Sequence, residues 1–327
     1  MSFSTSRASV AIALTGLLTL AVAACGSSDQ TTADSSTAPA ASSFPTPAGS
    51  LSKLISDNQA SADLVVSPAT SVFTVGENRF GFAVFTLDRD QITDADVAIY
   101  AEHGATGKVE GPFPGKVESL ATEPAFTAQT TSSDPDAAKA VYVANLRLDK
   151  PGEWRLAALV KRDGNTEAVR MPSIVVNTHD PIPQVGDKAP VIHTPTKDDV
   201  GNISQIDTRV PPDDMHDVDF ADVIGKQPIV LEFATPALCQ SRVCGPVVDV
   251  AEQVKRDNPG SAAFIHMEIY NQNDPNKGLR PQVRAYHLQT EPWTFVIDKN
   301  GVISSRIEGA LGVDELQAAL DKVASPS

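Results

Sequence analysis

A chain of 327 residues carries 41 aspartates and glutamates against 26 lysines and arginines, a formal net charge of −15. That surplus excludes a phosphate-tracking nucleic-acid binder and any electrostatic grip on anionic lipid. The length leaves room for two ordinary domains beyond an apolar leader and a polar stretch, and neither an internal repeat nor a second membrane span is visible.

Arg7 supplies a short positive region, and Ala8 to Ala24 is small, apolar and uncharged. The run is too short and too poor in large residues for a membrane span, and residues 1–24 read as an export signal. Val22-Ala23-Ala24-Cys25 closes it and resembles a bacterial lipobox. The resemblance implies that the Cys25 thiol receives diacylglycerol in a palmitate-type lipidation. The mature chain is then expected on the extracytoplasmic face of the cell membrane, held there by its lipid anchor. An ordinary cleaved signal with an incidental Cys25 is the alternative. Residues 25–60, rich in Ser, Thr, Ala and Pro, read as a disordered tether. Export also has a chemical consequence, because disulfides persist outside the cytoplasm.

Residues 61–178 read as strands. Apolar or alternating runs occur at Leu64–Val66, Arg79–Leu87, Val97–Glu102, Val141–Leu146, Trp154–Val160 and Ser173–Asn177. Turn signals separate them, as at Gly76-Glu77-Asn78, Lys150-Pro151-Gly152 and Asp163-Gly164-Asn165. Short strands at this spacing predict an all-β sandwich, immunoglobulin-like in type. Its Pro151-Gly152-Glu153-Trp154 segment resembles bacterial extracytoplasmic sandwich modules. The stretch holds no cysteine and one histidine, His103, so a spacer or docking role is expected of it.

Asn177 to Pro190 is a proline-rich linker, and residues 179–327 then alternate strand with helix. Asp219–Ile224 is helix-like, Ile229–Phe233 an apolar strand, and Val247, Val250, Ala251 and Val254 recur at helical spacing. Ala262–Ile269 is the next strand, and Pro281 opens a short helix through Leu288. Trp293–Asp298 and Val302–Ile307 form a hairpin over Lys299-Asn300-Gly301. Gly312–Val323 closes the chain with an amphipathic helix. The predicted fold class is therefore α/β at the C-terminal end, joined to the all-β sandwich.

Two cysteines, Cys239 and Cys244, follow the first of these strands, and Glu291-Pro292-Trp293-Thr294-Phe295-Val296-Ile297-Asp298 comes some fifty residues later. On the segments Phe233–Cys239, Cys244-Gly245-Pro246 and Pro292–Asp298 with Gly301, residues 186–324 resemble extracytoplasmic thioredoxin-like proteins, the membrane-tethered thiol–disulfide oxidoreductases. The resemblance implies a cis Pro292 lying against the cysteine pair, and a buried carboxylate at Glu232. It also implies that extracytoplasmic protein thiols or disulfides are the partners. No cofactor and no metal are expected.

The spacing departs from the Cys-x-x-Cys of that family. On a regular helix, residues three apart have Cα atoms roughly 5 Å apart, within disulfide range, whereas residues five apart lie roughly 8.5 Å apart. A bridge between Cys239 and Cys244 therefore requires Cys239 to lie in a loop before the helix, or the first turn to unwind. Thr235-Pro236 and Gly245-Pro246 favour the loop, with Pro246 in the first turn of a helix that begins near Cys244. Cys239 is then the nucleophile and Cys244 the resolving thiol. Arg242 is a candidate for lowering the nucleophile's pKa and contacting substrate, with a solvated surface arginine as the alternative. Glu232 is the candidate proton relay if buried and inert if its face meets water; Pro292 shapes the groove, and Trp293 either lines it or belongs to the core.

Three alternatives stay open. The same cysteine spacing, with Thr235-Pro236 before it, resembles atypical two-cysteine peroxiredoxins, although Pro292-Trp293 stands where those enzymes place an arginine. Copper-delivery relatives of the fold add a histidine to two cysteines, and His216, His266 and His287 are the candidates here, without recognisable ligand spacing. Finally, the pair is readable as a permanent structural disulfide in a non-catalytic binding lipoprotein.

Overall fold

Phe80, Phe82 and Val84 are fully buried along the run Gly76–Thr86, as period-two alternation over an apolar core requires. The computed structural model describes residues 34–105 and 107–324. The expected signal, the lipobox and Cys25 lie outside them. The described residues belong to one compact unit, Thr32–Ser327. Among them, no helix is long and apolar enough to cross a membrane.

The first part is built from β1 (Gln59–Ala60), β2 (Leu64–Pro68), β3 (Phe73–Thr74), β4 (Gly76–Thr86), β5 (Gln91–Ile92), β6 (Asp96–His103), β7 (Val109–Ser119), β8 (Ala140–Leu148), β9 (Gly152–Arg162), β10 (Asn165–Arg170) and β11 (Ile174–Asn177). The main path runs β1-β10-β9-β6-β7-β8-β4-β2. β7 joins its two halves, pairing first with β6 and then, from Lys116 onward, with β8. The sheet folds over on itself there. Val97, Ile99, Leu156 and Ala158 of one half share a core with Phe80, Phe82 and Tyr142 of the other. β7 is not predicted from the sequence, because Gly111, Pro112, Pro114 and Gly115 break its pattern. Those glycines serve close packing: a Cβ at Gly115 would come within 2.9 Å of the Phe82 ring.

Of the expected tether over 25–60, only residues 34–60 are described, and part of that stretch is folded. Helix α1 (Leu51–Asp57) is capped by Ser50, whose side chain accepts from the Lys53 N–H at 3.2 Å. It buries Leu51, Leu54 and Ile55, with Phe44 ahead of it, against Ala98, Tyr100, Ala157 and Leu159 on the outer face of the sheet. The Tyr100 hydroxyl donates to Pro45 O at 2.7 Å. Four apolar anchors in a Ser/Ala/Pro background suffice to dock this stretch, and compositional reasoning averages them away.

The second part holds helices α2 (Gln129–Ser132), α3 (Phe220–Val223), α4 (Cys244–Asp257), α5 (Pro281–Ala285) and α6 (Val313–Asp321) and strands β12 (Ile229–Phe233), β13 (Ala263–Met267), β14 (Trp293–Ile297) and β15 (Ile303–Glu308), α2 belonging by sequence to the loop between β7 and β8. The sheet order is β13-β12-β14-β15, with β12–β13 parallel and the other pairs antiparallel. Side chains alternate across it. Val230, Ala234 and Val296 meet α4 and α6 on one face. Leu231, Phe233, Phe295 and Ile297 meet α3 and α5 on the other.

The two sheets share a core rather than meeting through a bare linker. Leu120, Val141 and Val143 from the first part pack with Val247, Val250 and Leu316 of α4 and α6. Arg79 fixes the contact, donating to both carboxylate oxygens of Glu315 at 2.7 Å and to the carbonyls of Glu308 and Ala310. A buried pair, Arg209 with Asp249 at 2.9 Å, adds a second seam, because Arg209 also reaches Phe126 O at 2.6 Å.

The docked segment gives a direct test. Leu51→Ala is expected to lower unfolding free energy by about 2–4 kcal/mol, the ordinary range for truncating a buried leucine. Urea denaturation measures it, and a free tether would show no change.

Candidate functional site

The site forms where β12 ends and α4 begins. The chain leaves Phe233 and turns through Thr235–Leu238, where Thr235 O accepts the N–H groups of Leu238 and Cys239 at 3.2 and 3.1 Å. α4 then starts at Cys244, with Val243 as a cap that offers no side-chain acceptor and no acidic residue in the first turn. Cys239 therefore sits ahead of the helix and Cys244 at its first position, the arrangement that the five-residue offset demands.

Both thiols are free. The two sulfurs and a carboxylate oxygen of Glu291 lie within 4.8 Å of one another. Cys239 is lowered to about 5. The largest cause is the hydrogen bond from the Cys244 thiol, which outweighs the opposing effect of burial. The Ser241 hydroxyl at 3.2 Å and the backbone N–H groups of Cys244 and Val243 add to it. The sulfur thus takes the place of the missing cap, accepting helix-terminal N–H groups that have no partner of their own. Cys244 goes the opposite way: burial first, then Cys239 itself, push its thiol well above the ordinary value. Cys239 is 7% exposed and Cys244 0%, so what little access exists reaches the thiolate.

Glu291 is the residue that sequence reasoning missed as a site group. Burial, then the Cys239 charge, raise its carboxyl to about 8, and its Oε2 has no hydrogen-bond partner among the described residues. The available signal was its position, directly before the proline singled out at 292. The Glu291–Pro292 peptide is cis.

The other expected residues divide. Glu232 is 1% exposed on β12, on the sheet face that meets α4, and burial raises it to about 8. Its strongest charged neighbours are His266 and Asp213, while the carboxylate gathered with the sulfurs is Glu291. Trp293 is corrected: it is 1% exposed on the opposite face, stacked on Phe295 with its indole N–H on Thr290 Oγ1 at 3.0 Å. It is core, since alternation from Thr294 turns it away from the cysteines. Arg242 is also corrected. Its guanidinium pairs with Asp134 at 2.9 Å and remains half-exposed, and the forces that lower Cys239 are hydrogen bonds from its immediate neighbours. Of the histidines, His287 is exposed. His216 and His266 are buried together elsewhere, outside the cluster of sulfurs and Glu291.

The first part of the chain closes over this site. Ala138 N–H donates to Arg242 O at 3.1 Å. A Cβ on Gly245 would meet Thr131 Oγ1 of α2 at 2.8 Å, so only glycine fits beneath that helix.

No family model matches the chain, and no curated protein matches it. Among solved structures it is similar to a thiol:disulfide interchange protein, a thioredoxin family protein from Chlorobium tepidum TLS. That match has 18% identity and a TM-score of 0.29, over 45% of this chain and 100% of the other. The fold is read from this chain's own topology. The order β13-β12-β14-β15 and its strand senses make a mixed four-stranded α/β sheet, with the cysteine pair after β12, beside a layered β part.

The reactive form of a thiol is the thiolate, and a depressed pKa moves ionisation to lower pH. Iodoacetamide labelling of Cys239 is therefore expected to rise through pH about 5 and to be flat from pH 6 to 8, with Cys244 unlabelled in the native protein. Peptide mapping by mass spectrometry reads both. Labelling that rises only near pH 8–9 would place Cys239 among ordinary thiols.

Proposed function

We propose that the chain is a cell-envelope thiol–disulfide exchange protein, anchored through Cys25 on the extracytoplasmic face of the membrane. The observation that carries the proposal is the split between two adjacent thiols, one ionised in the loop ahead of α4 and the other shielded and neutral at the first residue of that helix. Proteins carrying accessible disulfides or dithiols are the substrate class.

Exchange begins with the Cys239 thiolate attacking a substrate disulfide. One sulfur–sulfur bond forms, one breaks, and the departing substrate thiolate takes the proton of Glu291. The carboxylate so formed accepts the proton of Cys244, whose thiolate attacks Cys239 Sγ. The second substrate thiol leaves, again taking its proton from Glu291. Two cysteine thiols are oxidised and one substrate disulfide is reduced, and the charge that began on Cys239 ends on Glu291. The same steps run in reverse for substrate oxidation. Glu291 suits the work because its raised pKa lies close to that of an ordinary thiol.

In this reading the layered β part, immunoglobulin-like in type, is a selector. Its α2 and Ala138 flank the cysteine loop and set which substrates reach Cys239.

The test uses the two single variants. Cys244→Ser is expected to accumulate a mixed disulfide with a model disulfide substrate, and Cys239→Ser to form none. Glu291→Gln should keep the first step and slow resolution by about 100-fold. A permanent structural bridge would instead resist dithiothreitol in the native protein while a thioredoxin control is reduced. Consumption of hydrogen peroxide dependent on Cys239 would select a peroxidase.

A further inference from the structure

Beside the end of β12 lies a second cluster that thiol exchange does not use. Asp207, Asp213, His216 and His266 are all buried, and one donor atom from each lies within 4.8 Å of the others. Sequence spacing gave no hint of it, because His266 comes from β13 and the other three from an irregular loop between Ile206 and Phe220.

The carboxylates are pre-set by backbone. Asp207 Oδ1 accepts from Arg209 N at 2.7 Å and its Oδ2 from Asp213 N at 2.8 Å. Asp213 Oδ1 accepts from Met215 N at 2.9 Å. His266 points Nε2 at Ala234 O, 3.2 Å away, and Nδ1 at Asp213 Oδ2, 2.7 Å away. Nδ1 donates to that carboxylate, so a metal ion bound there takes the place of this proton while Nε2 still donates to the carbonyl, the outer-shell arrangement that fixes a metal-binding tautomer.

His216 has no such explanation in protein contacts alone. It is 3% exposed, and neither ring nitrogen has a hydrogen-bond partner among the described residues. Its Nε2 faces Asp213 Oδ1 at 3.4 Å and Asp207 Oδ2 at 3.7 Å. Donor atoms about 2.1 Å from a tetrahedral ion sit about 3.4 Å apart. The His216 separations already match that figure, and the His266–Asp213 contact would open by several tenths of an ångström.

We propose that Asp207, Asp213, His216 and His266 bind one divalent first-row transition metal ion, zinc by the character of the donors. Imidazole selects against magnesium and calcium, and the absence of thiolate selects against cuprous copper. Once binding has released the His266 proton, two carboxylates, two neutral imidazoles and a doubly charged ion sum to zero net charge. That balance removes the burial penalty the carboxylates otherwise carry. Four ligands close the site, so the ion is structural: it ties the 207–216 loop to β13 and, through Ala234 O, to the strand end that leads into the cysteine loop.

The experiment titrates cobalt(II) into the chelator-stripped chain carrying Cys239→Ser and Cys244→Ser. One cobalt ion per chain is expected, with visible bands of nitrogen–oxygen ligation, no thiolate charge-transfer band, and displacement by zinc. Zinc should also raise the melting temperature of this variant. His216→Gln in the same background, folded by circular dichroism, should weaken binding by at least about 100-fold. The wild-type chain, titrated in parallel, decides the question should the variants not fold. Nitrogen–oxygen bands there support the site, whereas thiolate bands alone, or no binding by the folded chain, overturn it.

Discussion

Where α4 begins is the constraint on which the site rests. Five residues separate the cysteines, and a regular helix would hold such residues beyond bridging distance. α4 therefore starts at Cys244, and Cys239 is displaced into the loop ahead of it. Displacement has an electrostatic consequence. A sulfur placed before the first turn accepts helix-terminal N–H groups, and the cap position that would compete for them is filled by Val243, which has no acceptor. The lowered pKa of Cys239 follows first from the hydrogen bond of Cys244, whereas Cys244 is kept neutral first by burial and then by Cys239.

The layered β part is not a passenger in this arrangement. A wide loop before a helix is entropically loose unless something holds it. Here Ala138 N–H and Asp134 hold Arg242, and α2 lies against Gly245. Leu120, Val141 and Val143 complete the apolar surface over α4, so that the helix is buried from both sides. Cys239 belongs to the same apolar cluster as these three residues.

The sequence was most readable where one periodicity governed one element. β12, β14 and α6 were legible to within a residue or two, because each buries a regular pattern. β7 was not, since glycine and proline at four of its positions carry turn signals that close packing against Phe82 and pairing with two different strands override. α1 was lost inside a polar background. The nearness of Cys239 to Cys244 and the cis Glu291–Pro292 peptide were legible from motif. Trp293 was misread because a residue beside a motif proline is drawn towards the site by sequence alone, while strand alternation sends it to the other face. Glu291, and the gathering of Asp207 and Asp213 with the two candidate histidines His216 and His266, were hidden for a different reason: their neighbours come from distant segments, and no spacing along the chain encodes them.

Burial sorts the acids of this region by charge state. Glu232 and Glu291 are both raised to about 8, so each holds its proton at neutral pH. Asp213 is kept ionised because His266 beside it outweighs burial, and His266 is held well above its ordinary value by Asp213 in turn. His216, with burial and the His266 charge against it, drops to about 4 and is neutral. The result is two separate charge centres at the end of one strand. One is the Cys239 thiolate, with the protonated carboxyl of Glu291 among its neighbours. The other is the Asp–His cluster, whose rigid, backbone-fixed carboxylates are suited to holding charge rather than passing it on. Glu232 lies on β12 in register with His266 of β13 and Thr294 of β14. Neutral there, it adds no further negative charge to a face of the sheet that already carries the carboxylates of Asp213 and Asp207.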